Sequence, residues 1–166
     1  MTGVVRSRIE RAFFRLFGWL PDRVGRFGIG VFKSSWVVGA AAVVTAPDGR
    51  IMLVRHSYKV GWYTPGGFLN RREQAADAVV REVREEVGLP IVVVGEPAVL
   101  LRTNERVVEI IFRTRPAEGV DPQTASPRSP EITEVGWFDP SEVDDLSSVT
   151  RSLLDALVRA ESSRVD

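Results

Sequence analysis

Three glutamates, Glu82, Glu85 and Glu86, stand at positions i, i+3 and i+4 in a stretch whose apolar residues Ala76, Val79, Val80, Val83 and Val87 recur at three- and four-residue steps. On an α-helix the apolar set forms one stripe, and the three carboxylates gather on another face. Like charges held this close repel one another, so the cluster costs stability unless cations neutralise it. Hard oxygen donors of this kind suit Mg2+ or Mn2+. The competing explanation is an ordinary solvated acidic face paired with Arg81 and Arg84. Spacing alone does not choose between them.

The surrounding segment does. From Gly67 to Leu89 the chain reads GFLNRREQAADAVVREVREEVGL. It runs Gly67, five residues, Glu73, seven residues, Arg81-Glu82, aliphatic Val83, one residue, Glu85-Glu86, one residue, Gly88 and aliphatic Leu89. At every defining position this resembles the Nudix box. Pro65-Gly66-Gly67 leads in, and Gly88 with Pro90 ends the helix, as helix-stop chemistry requires. The resemblance implies a Nudix-type α/β/α sandwich around a mixed β-sheet. It also implies a Mg2+- or Mn2+-dependent hydrolase that cleaves the diphosphate bond of a nucleoside diphosphate linked to another moiety, by water attack on phosphorus. Under it Glu82, Glu85 and Glu86 bind metal, the Gly67 carbonyl is a further ligand, and Arg81 pairs with Glu73 to hold the loop against the helix.

The box leaves the general base open: Glu82 or another box glutamate, or a later loop acid. Glu131 is the candidate from the later loop, with Glu134 behind it. Arg55 and Lys59 are candidates for contact with substrate phosphate, each with an ordinary surface role as the alternative. Trp62, Tyr63 and Phe68 flank the glycine loop; they could stack on a base or pack in the core. His56 is the single histidine, which disfavours a catalytic triad or a histidine zinc site. The loop departs from common versions of the box. Asn70 stands where many members have a further Glu, Arg72 replaces a frequent Gly, and Gln74-Ala75 replaces a frequent Ser/Thr-Pro helix start. The alternative function is therefore a catalytically weak or inactive Nudix-derived module that binds or senses a nucleotide.

These residues need elements to hold them. Trp36–Thr45 reads as a buried strand, Pro47-Asp48-Gly49 as a turn, and Ile51–His56 as the return strand of a hairpin. A helix over 74–87 follows, then strands over 91–94, 98–102 and 107–114, with a turn at Asn104-Glu105. Residues 115–130 hold four of the ten prolines and no period, which predicts a long loop. A strand over 133–138 and a helix over 149–160, capped by Ser147 or Ser148, complete the domain.

Residues 1–34 form a separate unit ahead of the Nudix-like domain at 35–166. Residues 5–20 have helical period, with Val5, Ile9, Phe13 and Leu16 on one stripe and Arg8, Arg11 and Arg15 on another. Over residues 1–33 seven basic side chains face two acidic ones, a net +5. This amphipathic helix is expected to dock on the domain core or on a second subunit in a homodimer; contact with a membrane surface is the alternative.

At 166 residues the chain is long enough to bury a single core. It has no cysteine, which excludes disulfides, thiolate zinc sites and a thiol nucleophile. Twenty-two basic and 22 acidic side chains balance, so no stable nucleic-acid complex is expected; the Nudix resemblance implies a nucleotide-like small molecule as the partner. No run approaches the roughly 20 apolar residues of a bilayer span, and no export signal is legible, so the default compartment is the cytoplasm.

Overall fold

The computed structural model describes residues 35–162. The expected N-terminal helix and the unit at 1–34 lie outside the described residues. A four-stranded mixed sheet has the order β3-β1-β5-β4, built from β1 (Val37–Val44), β3 (Gly66–Phe68), β4 (Ile91–Arg102) and β5 (Val107–Pro116). β1 runs parallel to β5 and antiparallel to β3. A second, two-stranded sheet pairs β2 (Ile51–His56) with β6 (Ile132–Phe138). Among the described residues two α-helices, α1 (Ala75–Val87) and α2 (Ser148–Ser162), and a single 3-10 turn at Pro122–Thr124 complete the regular structure.

β1 explains the layering. A run of Val and Ala with no charge can be buried on both faces. Ala40, Ala42 and Val44 enter one cluster with Val79, Val83 and Val87 of α1. Ala41 and Val43 point the other way and join Leu153, Ala156 and Leu157 of α2. Helices thus cover both faces, as the expected sandwich requires.

Three expectations are corrected. The chain does turn between β1 and β2, with Gly49 N–H donating to Ala46 O at 2.9 Å, but the pair is not a hairpin. Only a bridge at Thr45 and Ile51 joins them, and β2 finds its ladder on β6. Segments 91–94 and 98–102 are one strand, β4, with an irregularity between Val94 and Ala98. In α1, Ala78 is fully buried while Ala76 is exposed.

Among the described residues no helix is long and apolar enough to cross a membrane. The cap of α2 is Ser147, whose Oγ accepts the Thr150 N–H at 3.1 Å. Thr150 Oγ1 in turn accepts the Thr64 N–H at 3.1 Å and donates to Trp62 O. This buried knot fixes the start of α2 against the segment that leads into the glycine loop.

Candidate active site

The glycine loop is placed by β1. Ala42 N–H donates to Pro65 O, and Gly67 pairs with Ala40 as part of β3. Gly67 lies directly on the acidic helix, where a Cβ would come within 2.6 Å of the Glu82 carboxylate carbon. A Cβ here would force the Glu82 carboxylate to shift, whereas at Gly66 it would meet the backbone of Ala40 and Ala41, which only glycine tolerates. Gly66 N–H donates to Glu86 Oε2 at 3.0 Å.

The three box carboxylates are not equivalent. Glu85 is exposed, Glu82 is mostly covered, and Glu86 is buried at 7% exposure on the core side of the helix. Burial pushes the Glu86 carboxyl up to about 8, against the lowering effect of the Gly66 N–H. Glu82 adds to the rise by like-charge repulsion.

Arg81 and Glu73 are joined as expected. Nε donates to Glu73 Oε1 at 2.8 Å and Nη2 to Oε2 at 3.0 Å, a two-pronged pair. The guanidinium holds the Glu73 carboxyl down to about 2, and Glu73 also accepts the Asn70 N–H at 2.7 Å. Arg81 Nη1 reaches Glu82 at 2.7 Å and Glu85 at 3.3 Å, while Nη2 donates to Phe68 O at 3.3 Å. One guanidinium therefore ties the loop to two of the three acids.

The proline-rich loop has a defined task. The last carbonyls of a helix lack partners within it. Here Ser126 N–H donates to Val87 O at 3.0 Å and Arg128 N–H to Glu86 O at 2.8 Å. The loop caps α1, and so carries Ser129 and Glu131 to the acids. Glu131 accepts the Tyr58 hydroxyl at 3.1 Å, and its carbonyl accepts the Ser57 N–H at 2.8 Å.

Glu82, Glu85, Glu86, Gly67, Phe68, Lys59 and Glu131 all line one cavity of about 830 Å³. Lys59 Nζ stands 5.1 Å from the rings of both Tyr58 and Tyr63. Phe68 is 60% exposed and free to meet a ligand. His56 also faces this space, between the Tyr58 and Tyr63 rings; burial lowers its pKa, and its Nδ1 is buried with no hydrogen-bond partner among the described residues.

Arg55 is not brought here. Successive strand residues point to opposite faces, so with His56 facing the cavity Arg55 turns away. It pairs with Asp145 at 3.2 Å and Glu134 at 3.8 Å, and lies 4.7 Å over the Trp62 ring. Glu134 leaves the cavity with it, and Trp62 packs on Phe138 in the core. Tyr58, Arg102 and Glu109 line the cavity without having been singled out in the sequence. Glu109 had a signal: a lone carboxylate in the otherwise apolar run VVEIIF.

The donor set fits a hard divalent cation: carboxylates with water access around one buried, strongly perturbed acid. Among the described residues no three such groups already converge at metal-binding spacing, because Glu82 and Glu85 are turned to Arg81. A change of side-chain rotamer would release them.

The NUDIX domain family model matches residues 36–157. A MutT-like protein of Streptomyces ambofaciens is 36% identical over 122 residues, covering 72% of this chain and 76% of that protein. NUDT18 of Mus musculus, an 8-oxo-dGDP phosphatase, is 35% identical over 117 residues, which is 68% of this chain but 35% of that longer protein. Among solved structures, an ADP-ribose pyrophosphatase from Streptococcus suis superposes with a TM-score of 0.62 at 25% identity, covering 78% of this chain and 93% of that one. A UDP-X diphosphatase reaches 0.65 at 18% identity over 87% and 73% of the two chains, a likeness of fold alone. The order of elements, the loop-helix geometry and these matches agree: the chain belongs to the Nudix hydrolase family and is an enzyme of its pyrophosphohydrolase type.

Proposed function

We propose that the enzyme hydrolyses the diphosphate bond of a nucleoside diphosphate linked to another moiety, with Mg2+ or Mn2+ held by Glu82, Glu85, Glu86 and the Gly67 carbonyl. The observation that carries this reading is the buried Glu86 carboxylate, fixed by the Gly66 N–H and facing the same cavity as Glu82, Glu85 and Glu131. Bound metal would offset the charge of the diphosphate and stabilise the leaving phosphate. Lys59 supplies a further positive charge to the phosphate, and Phe68 an apolar surface to the rest of the substrate. Glu131 takes the proton of the attacking water as its oxygen bonds to phosphorus. The bond to the bridging oxygen breaks, and the second phosphate ester leaves as an anion. Arg81 and Glu73 act by position, holding the glycine loop on the helix. The activity named for the Streptococcus suis pyrophosphatase falls within this class, and that named for the mouse phosphatase cuts the same kind of bond in a free nucleoside diphosphate.

A screen of nucleoside diphosphate derivatives with and without Mg2+, run in 18O-labelled water, tests it. Metal-dependent release with one label in a phosphate ester product is the expected result. A second reading, a module that binds nucleotides without cutting them, is favoured by the Arg81 contacts that turn Glu82 and Glu85 aside. It predicts nucleotide binding with no release in any member of the panel.

A further inference from the structure

The cavity continues past the acidic helix, around the short edge strand β3, to the face of the sheet covered by α2. Gly67 faces Glu82 on one side of β3; its neighbour Phe68 lies on the other. Across that second face Phe68 is in register with Gly39, and Gly39 with Glu109. Aligned residues of neighbouring strands share a face, and two strand spacings separate the outer pair by roughly 10 Å. The row is therefore an exposed aromatic ring, a position without a side chain, and a carboxylate.

Glu109 leans into the gap, where a Cβ on Gly39 would lie 2.5 Å from its Oε2. Its side chain is 14% exposed. The cation beside it is only loosely engaged: Arg102 Nη1 stands 3.5 Å from Glu109 Oε1 and its Nη2 3.3 Å from Glu105. Val149 and Leu153 of α2 close the space from above. A half-buried carboxylate with acceptor capacity to spare calls for N–H donors. A guanidinium at its side calls for a carbonyl acceptor. A flat apolar partner completes the set beside Phe68.

We infer that Phe68, Gly39, Glu109 and Arg102 form a base-reading subsite selective for a guanine-type edge. That edge presents two adjacent N–H donors to one carboxylate and a neighbouring carbonyl to the arginine. Adenine, cytosine and uracil each offer the carboxylate one donor group. Hypoxanthine keeps the carbonyl and the ring N–H of guanine but lacks the amino group. The inference rests on the nucleotide reading of the site above.

Calorimetry on the full chain with GDP, IDP and ADP, alongside phosphate release from the same nucleotides with Mg2+, tests it. GDP binds about tenfold or more tightly than IDP, the scale of one hydrogen bond to a charged group. In Glu109→Gln this preference collapses while the chain stays folded, as judged by its melting temperature. Equal affinity for the three nucleotides, no binding of any, or a guanine preference that survives Glu109→Gln overturns the subsite. Guanine preference without phosphate release keeps the subsite and excludes only these free diphosphates as substrates, leaving the hydrolase reading to the panel of derivatives above. Release without base preference overturns the subsite and keeps the hydrolase reading.

Discussion

At the C-terminal end of α1, Gly88 adopts φ 71 and returns its N–H to Arg84 O, while Ser126 and Arg128 cover the next carbonyls. At the N-terminal end, Gln74 occupies the cap position with no side-chain hydrogen bond, and Arg72 is held at φ 68, a left-handed conformation suited to glycine. One end follows every local rule for ending a helix; the other breaks two rules for starting one. What holds the start is a side-chain pair instead of a cap: Glu73 clasped by Arg81 two turns further along. The strict end is the one next to Glu86 and Glu131. Local regularity has been kept where the acids must be placed, and the loop backbone survives its substitutions because an ion pair replaces the missing cap.

The largest effect should come from the well-built end. Glu86→Gln is expected to lower hydrolysis on the order of 100-fold or more, about 2.7 kcal/mol in transition-state stabilisation, without lowering the melting temperature of the metal-free protein. A parent-like rate on an identified substrate would reduce that end to mere architecture. Glu131→Gln should cost roughly 10- to 100-fold in kcat with metal affinity nearly intact, since a proton acceptor outside the ligand set serves turnover alone. Steady-state kinetics with a parallel Mg2+ titration checks the split.

The two ends also titrate in opposite senses. Glu86 keeps its proton to about pH 8 when folded and loses it near 4.5 when unfolded. Between these values the folded state binds more protons, so metal-free stability should fall as pH rises. Glu73, held down to about 2, contributes stability that is complete above about 4.5 and is lost as pH falls toward 2. Melting curves from pH 3 to 8 without metal should therefore pass through a maximum. Glu86→Gln should flatten the alkaline side, and added Mg2+ should raise it by binding the folded state. A parent curve that keeps rising to pH 8 without metal would contradict the Glu86 assignment.

The smallest effects belong to the irregular end. Arg72→Gly should stabilise by about 1 kcal/mol by relieving the left-handed conformation, read as a rise of about 2–4 °C in Tm. Gln74→Ser should add about 0.5–1 kcal/mol by supplying the absent cap. If neither moves the midpoint in urea, the loop is not strained and the contrast between the ends is only geometric.

Much of this was legible in the residues. The box spacing located the acids, the Arg81–Glu73 pair and the helix stop at Gly88, because these depend on contacts within 23 consecutive positions. Strand positions followed from runs of Val, Ile and Ala. Strand partners did not: Pro47-Asp48-Gly49 signals a turn, but the choice of β6 over β1 as the ladder for β2 is made by residues some 80 positions away. The same limit explains Arg55. Its sequence neighbourhood points at substrate, whereas its side depends on which face of β2 meets the cavity, a tertiary fact. Glu109 carried a signal as the lone acid in VVEIIF, but what it faces is decided by its pairing with Gly39, which only the fold makes.

The cap that Ser126 and Arg128 place on α1 also sets how much slack the loop may have. Arg128 is anchored to the helix and Ile132 to the β2–β6 ladder, and only Ser129, Pro130 and Glu131 lie between them. Four chain steps of at most about 3.6 Å leave little freedom between two fixed posts. Glu131 is thus on a short tether, and even one inserted residue downstream of Arg128 would let it drift from its place in the cavity. Upstream, around Ala117–Val120, the chain can lengthen into solvent at little cost. Lineages that remodel this loop should gain and lose residues on that side of Ser126 and hold the other side to a constant length.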